Sequence, residues 1–146
     1  MKICIAYESK YGNGKGCMEY LQGVMSKKGH DVEMISVREK DPTSLPSADL
    51  YIFSSPTQIG GPAGKMKKFL KKLEIFQEDS KYALVATHLN PKANTLKKME
   101  KLLQPKEISK ISDGLMIKVT GMKGPLESGY KEKLDTFAED ILKSLQ

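Results

Sequence analysis

A strand-like apolar run followed at once by a glycine-rich loop is the feature that most limits what this chain can fold into. Residues 3–7 are apolar over the length of a strand, which predicts a strand buried on both faces of a parallel sheet. Residues 8–16 are small and polar, and apolar residues at helical spacing follow them. A strand, a glycine-rich loop and a helix in this order form a phosphate cradle, because the loop and the helix N-terminus direct several N–H groups at one point.

The loop lacks two familiar nucleotide-binding patterns. Ser9 stands where the triphosphate-binding loop has its first glycine, and Gly16 stands where that loop has its magnesium-binding hydroxyl. Cys17 takes the position of the third small residue of the dinucleotide fingerprint. With these two patterns excluded, we interpret the loop as a cradle of the size of one phosphate group, with Lys10 and Lys15 nearby. A tight strand-to-helix turn without a ligand is the alternative interpretation of the loop alone.

The rest of the chain alternates strand and helix patterns without a linker or repeat. We predict further strands at residues 32–37, 50–53, 81–87 and 115–119, and helices near residues 17–25, 66–73, 96–103 and 130–145. Residues 54–64 are predicted as a loop, because Gly60, Gly61 and Pro62 are not expected to continue a strand. The pattern predicts one α/β domain over residues 1–146, a three-layer sandwich with a five-stranded parallel sheet in the order 2-1-3-4-5. Ligands of such sheets bind at the carboxyl ends of the strands, where the strand order reverses.

The composition is that of an ordinary globular protein, with 39% hydrophobic and 29% charged residues. No apolar stretch reaches membrane-spanning length, and the first predicted strand follows Lys2 directly, so we expect no signal peptide and a cytoplasmic location. Cys4 and Cys17 are interpreted as buried thiols, and no metal-ligand spacing accompanies them.

The formal charge of +6 is compatible with a nucleic acid, an anionic membrane or an acidic protein as partner. The lysines are dispersed rather than grouped with aromatic residues, so the sequence contains no nucleic-acid-binding motif. Five of them share the helix predicted near residues 66–73, as a solvated face or as a docking surface for an acidic partner: Lys65, Lys67, Lys68, Lys71 and Lys72.

Two loops together resemble the flavodoxin family, and the resemblance extends over essentially the whole chain. Residues 55–70, SPTQIGGPAGKMKKFL, are similar to the family pattern S-P-T-x-x-G-x-P-x-x-x-M-K-x-F-L, and residues 9–15 are similar to its phosphate loop. Flavodoxins are a standard example of this strand order, and their cofactor is flavin mononucleotide (FMN). The position of FMN where the strand order reverses is therefore implied by the resemblance and not by the sequence pattern alone. The resemblance implies three groups of cofactor-binding residues: Ser9, Lys10, Tyr11, Gly12, Asn13, Gly14 and Lys15 at the phosphate; Ser55, Pro56, Thr57, Gln58, Ile59, Gly60 and Gly61 along one side of the flavin ring; and Thr87, His88, Leu89 and Asn90 along the other.

The chain departs from the family pattern in three respects. Tyr11 and Gly14 occupy positions where flavodoxins carry hydroxyl residues, and the chain has no Trp to stack on a flavin ring. Flavodoxins are typically acidic, whereas this sequence has a pI near 9.2. The resemblance together with this charge implies an acidic redox partner.

The resemblance implies a small FMN-binding electron carrier. Two alternatives stay open: an FMN-dependent quinone or protoporphyrinogen-type reductase, and an interaction module that has lost its flavin. His88 has two interpretations: its side chain lies beside the flavin ring, or it is an ordinary histidine at the end of a strand. A response regulator is excluded, because Ser54 and Ser55 stand where the third strand would need an acidic residue.

Overall fold

A computed structural model describes residues 1–145. In chain order the elements are β1 (Lys2–Tyr7), α1 (Asn13–Lys27), β2 (Asp31–Ser36), β3 (Leu50–Gln58), β4 (Gly61–Pro62), α2 (Gly64–Lys72), β5 (Lys81–His88), α3 (Thr95–Leu103), β6 (Ser109–Lys110), β7 (Leu115–Lys118) and α4 (Tyr130–Ser144).

The sheet has five parallel positions, and their order confirms the predicted topology. The sequence of neighbours is β2-β1-β3-β5, and the fifth position is shared by β6 and β7. β6 pairs with the start of β5 and β7 pairs with its end, with residues 111–114 between them. Strand order therefore reverses between β1 and β3, whose carboxyl ends lead into residues 8–12 and into the turn at residues 59–60.

Alternate residues of β1 enter two separate cores, one on each face of the sheet. Ile3 and Ile5 pack with residues of α1 and α4, whereas Cys4 and Ala6 pack with residues of α2 and α3. This alternation explains why the strand is apolar throughout, since both of its faces are covered. The result is the predicted three-layer sandwich.

The segment predicted as a loop, residues 54–64, is partly strand: residues 54–58 continue β3, and Gly61–Pro62 form β4. β3 runs to Gln58, and Gly61–Pro62 returns antiparallel to it, with Thr57 opposite Pro62 and Gln58 opposite Gly61. The prediction that Gly60, Gly61 and Pro62 end the strand region was therefore wrong for Gly61 and Pro62. A two-residue edge strand tolerates proline, because the missing N–H lies on an unpaired side.

Among residues 1–145, no helix combines the length and the apolar character that crossing a lipid bilayer requires.

Candidate functional site

A cavity of about 480 Å³ lies at the carboxyl edge of the sheet, where the strand order reverses. Its volume is in the range of small-molecule and cofactor sites. Fourteen residues line it: Ser9, Lys10, Tyr11, Asn13, Gly14, Pro56, Thr57, Gln58, Ile59, Thr87, His88, Leu89, Val119 and Met122. The cavity thus joins residues from all three segments that the sequence singled out.

One end of the cavity is formed by the N-terminus of α1. The helix begins at Asn13, and its first internal bond runs from the Gly16 amide to the Gly12 carbonyl. No side chain caps this end, so the N–H groups of the first three helical residues have no intrahelical acceptor. Free N–H groups and the positive end of the helix dipole are the donor set that a phosphate group requires.

The loop before this helix is braced by a buried carboxylate. Glu8 is 2% exposed, and Arg38 donates to both of its carboxylate oxygens, from Nε at 2.7 Å and from Nη2 at 3.1 Å. The backbone N–H of Ser9 donates to the same carboxylate, and the Ser9 hydroxyl accepts the Gly12 N–H at 3.1 Å. Sequence analysis did not find this pair, because its members are separated by 30 residues. The hydrogen bonds with Glu8 raise the pKa of Arg38, so the guanidinium stays charged.

A hairpin after β3 forms a second side of the cavity. Its two-residue turn, Ile59–Gly60, has positive φ at both positions, 50° and 75°. Glycine adopts this conformation freely, but a β-branched residue does not. Ile59 is nevertheless fully exposed at the tip of the turn and lines the cavity mouth. The Lys98 ammonium donates to the Gly60 carbonyl at 3.3 Å and holds the turn from α3.

We expect Ile59→Asn to stabilise the protein without a bound ligand by about 1 kcal/mol, because asparagine accepts the left-handed conformation. The exposed side chain loses no buried contact in this exchange. Urea unfolding measures the difference. Ile59→Val is the matched control, since it stays β-branched and should give no gain; equal stability of the two variants would contradict the assignment of strain to this turn.

His88 closes the cavity from the end of β5. It is 7% exposed, and its Nδ1 atom is buried without a hydrogen-bond partner. Burial lowers the pKa of His88, partly opposed by the nearby Glu127 carboxylate, so the ring is neutral at pH 7. An unpaired buried nitrogen is costly, and it is satisfied if a bound group supplies a partner. The Ser54 hydroxyl is the other unpaired buried group in the described chain, and it lies beside Gly14.

A second hairpin contributes residues that the sequence analysis missed. Val119 pairs antiparallel with Leu126, and Thr120 donates to the Pro125 carbonyl through both its N–H and its hydroxyl. Val119 and Met122 line the cavity. Gly124 has φ +99°, and a side chain there would clash with Asn13, since a Cβ would lie 2.6 Å from its Oδ1. The hairpin is thus fitted against the first residue of α1.

Several predicted site residues lie near the cavity without lining it: Gly12, Lys15, Ser55, Gly60, Gly61 and Asn90. Ser55 is buried, and its hydroxyl accepts the Ala63 N–H at 3.0 Å and donates to the Pro56 carbonyl. Gly61 packs against the Lys98 side chain. These two residues fix the β3–β4 hairpin rather than face the cavity. Within residues 1–145, no cluster of His, Cys, Asp and Glu could hold a metal ion.

The sequence and the fold are similar to those of a known group of proteins. The family model described as "Flavodoxin domain" matches residues 4–114. No curated protein matches the chain. Many solved structures resemble it, and three of them are described. Oxidised flavodoxin 2 from Bacillus cereus is 21% identical with a TM-score of 0.82, and the match covers 98% of this chain and 99% of that one. A Fusobacterium nucleatum flavodoxin bound to FMN is 12% identical with a TM-score of 0.69, and the match covers 97% of each chain.

The third structure is a larger enzyme, rubredoxin oxygen:oxidoreductase from Desulfovibrio gigas. It is 16% identical with a TM-score of 0.77, and the match covers 99% of this chain. The chain spans only 36% of that protein's length. The structural likenesses show the shared fold, and the family model identifies the sequence relationship. On that evidence, the chain belongs to the flavodoxin family.

Proposed function

We propose that this protein binds FMN in the cavity and carries electrons between redox proteins. The observation that supports the proposal best is the layout of the cavity. Uncapped helix N–H groups lie at one end. Polar and apolar walls from the carboxyl ends of β3 and β5 and from the segments that follow β3, β5 and β7 enclose the rest. A phosphate monoester attached to a flat ring requires both features.

The residues present fit the cofactor. Asn13, Gly14 and Lys15 would supply N–H groups to the phosphate, with Lys10 adding charge. Gly14 stands where flavodoxins carry a hydroxyl side chain. A Cβ at this position would make only ordinary contacts of 3.6 Å or more, so the fold leaves room for such a side chain. Ile59 and Leu89 would replace aromatic residues as walls of the ring site, and His88 would offer its unpaired nitrogen.

When bound, FMN supplies reversible one- and two-electron chemistry. The chain's own residues would hold the phosphate, exclude water from the ring and set the polarity at its edge. The neutral His88 ring would offer a hydrogen bond there without adding charge. No acidic side chain lies in the first turn of α1, so nothing there opposes a phosphate dianion.

A flavin titration tests the proposal. FMN should bind with a dissociation constant below about 1 µM, and riboflavin, which lacks the phosphate, should bind about 100-fold more weakly. Quenching of flavin fluorescence measures both constants. Equal affinity for the two flavins would contradict the phosphate cradle. Absence of FMN binding would support the flavin-free interaction module instead, and FMN-dependent oxidation of NAD(P)H by a quinone would support the reductase.

A further inference from the structure

The loops around the cavity mouth carry uncompensated charge of one sign. We define the rim loops as residues 8–16, 55–63, 88–94 and 118–129. They contain two carboxylates, Glu8 and Glu127, and five lysines: Lys10, Lys15, Lys92, Lys118 and Lys123. Both carboxylates are already paired, Glu8 with Arg38 and Glu127 with Lys133, each at 2.7 Å.

The rim lysines have no such partners. Among residues 1–145, none of the five forms an ion pair, and the Lys10 ammonium lies over the Tyr11 ring at 5.4 Å from its centroid. A bound phosphate monoester would carry a charge of about −2 at neutral pH. It would therefore offset fewer than half of these lysines, and the rim would stay cationic with the cofactor in place.

Each rim loop also presents one large apolar side chain. Tyr11, Ile59, Leu89 and Met122 are all exposed, and all line the cavity mouth. The other exposed large hydrophobic residues of the described chain, Met1 and Phe76, lie outside the rim loops. An apolar centre containing Tyr and Met, surrounded by charge, is the usual composition of a protein–protein interface.

From these observations we infer that the rim loops are the docking surface for an acidic electron-transfer protein. The inference rests on the proposed function. It adds the surface that the partner contacts and the unpaired lysines that select an acidic one. Opposite charges at such a surface raise the association rate and orient the encounter, which suits a short-lived redox complex.

Two other classes of partner fit the surface less well. Three of the four apolar residues are aliphatic and offer no aromatic ring for nucleic-acid bases to stack on. The four residues stand around the mouth of a cavity, so they do not form the continuous apolar face that lies in a lipid interface.

Salt-dependent electron-transfer kinetics test the sign of the charge at the rim. The FMN-loaded protein is first reduced by two electrons with dithionite and is then mixed with ferricyanide. Two ferricyanide ions each accept one electron to become ferrocyanide, and the protons of the reduced flavin pass to the buffer. We expect the rate with this anionic oxidant to fall about tenfold as salt is raised from about 0.02 to 0.5 M. With the cationic oxidant hexaamminecobalt(III), the rate should rise instead.

Two triple variants separate the rim from the net charge. Lys92→Gln/Lys118→Gln/Lys123→Gln changes rim residues outside the proposed phosphate cradle, and Lys27→Gln/Lys28→Gln/Lys143→Gln changes residues at the far ends of α1 and α4. Each replaces three lysines by neutral residues and so lowers the formal charge from +6 to +3. The rim variant should lose most of the salt dependence, and the distal variant should retain it. Equal losses in the two, or a salt dependence of opposite sign, would overturn the inference.

A direct binding experiment identifies the class of partner. In ¹H–¹⁵N spectra, an acidic ferredoxin added at low salt should shift resonances of residues 88–94 and 118–129 in the wild type but not in the rim variant, and the basic cytochrome c should shift neither. No shift with the ferredoxin would overturn the inference, as would lysine-dependent binding to phosphatidylserine vesicles in its place. Since FMN binding is measured first, failure of the docking inference is distinguishable from failure of the proposed function.

Discussion

Gly12→Asp is expected to weaken FMN binding about 100-fold. Gly12 precedes the first residue of α1 with φ +90°, and a Cβ there would meet no atom within 4 Å. An aspartate therefore meets no steric obstacle, and it places a carboxylate close to the phosphate cradle. The positive φ strains its backbone, but it strains that of asparagine in the same way. Two unit charges about 5 Å apart repel by roughly 3 kcal/mol at an effective dielectric constant near 20, which corresponds to about two orders of magnitude in affinity. Fluorescence titration with FMN measures the loss.

Gly12→Asn is the matched control for this prediction. Asparagine has nearly the same shape as aspartate and tolerates the left-handed conformation equally well, but it carries no charge. We expect it to lose less than about tenfold in affinity. If both variants bind FMN as tightly as the wild type, the N-terminus of α1 is not the phosphate site. If both lose affinity equally, backbone strain rather than charge is responsible.

Arg38→Met is expected to lower the melting temperature by roughly 6 °C at neutral pH. The substitution removes the donors to both oxygens of the buried Glu8 carboxylate and leaves that charge unpaired. Because the Ser9 N–H also binds this carboxylate, we expect the phosphate loop to be disturbed and FMN affinity to fall. Thermal unfolding followed by circular dichroism measures the change in stability.

The double variant Glu8→Gln/Arg38→Met shows whether the unpaired Glu8 charge or the lost packing of the Arg38 side chain lowers the stability. Removing the carboxylate together with its partner should recover most of the lost stability, because a neutral amide is much less costly to bury than an unpaired charge. A double variant no more stable than Arg38→Met alone would show that packing of the arginine side chain, and not its charge, supports the loop.

The sheet and its order were predictable because each central strand is an apolar run with one dominant interpretation. The β3–β4 hairpin was not, because its short return strand pairs through the backbone at Gly61 and Pro62, which leave almost no side-chain pattern. One feature of the sequence did indicate a hairpin: Ile59–Gly60 has glycine in the second position, as many two-residue hairpin turns do. The prediction followed instead the rule that glycine and proline interrupt strands.

The three predicted loops meet at one cavity because they follow neighbouring positions of the sheet. Val119 and Met122 escaped prediction, since the hairpin that carries them lies against Asn13, more than 100 residues earlier in the chain. The two glycine turns on either side of Met122, Thr120–Gly121 and Gly124–Pro125, do mark this hairpin in the sequence. The Glu8–Arg38 pair has no local signature, so only coordinates could reveal it.

The two outer positions of the sheet have a consequence for self-association. On one side, β2 exposes Asp31 and Glu33, whose negative charges disfavour a second copy of the strand alongside. On the other side, the position is divided between the two-residue β6 and the four-residue β7, so no long unpaired ladder is available. Charged and interrupted edge strands prevent natural sheets from pairing with strands of neighbouring molecules. We therefore expect concentrated solutions of this protein to resist fibril formation.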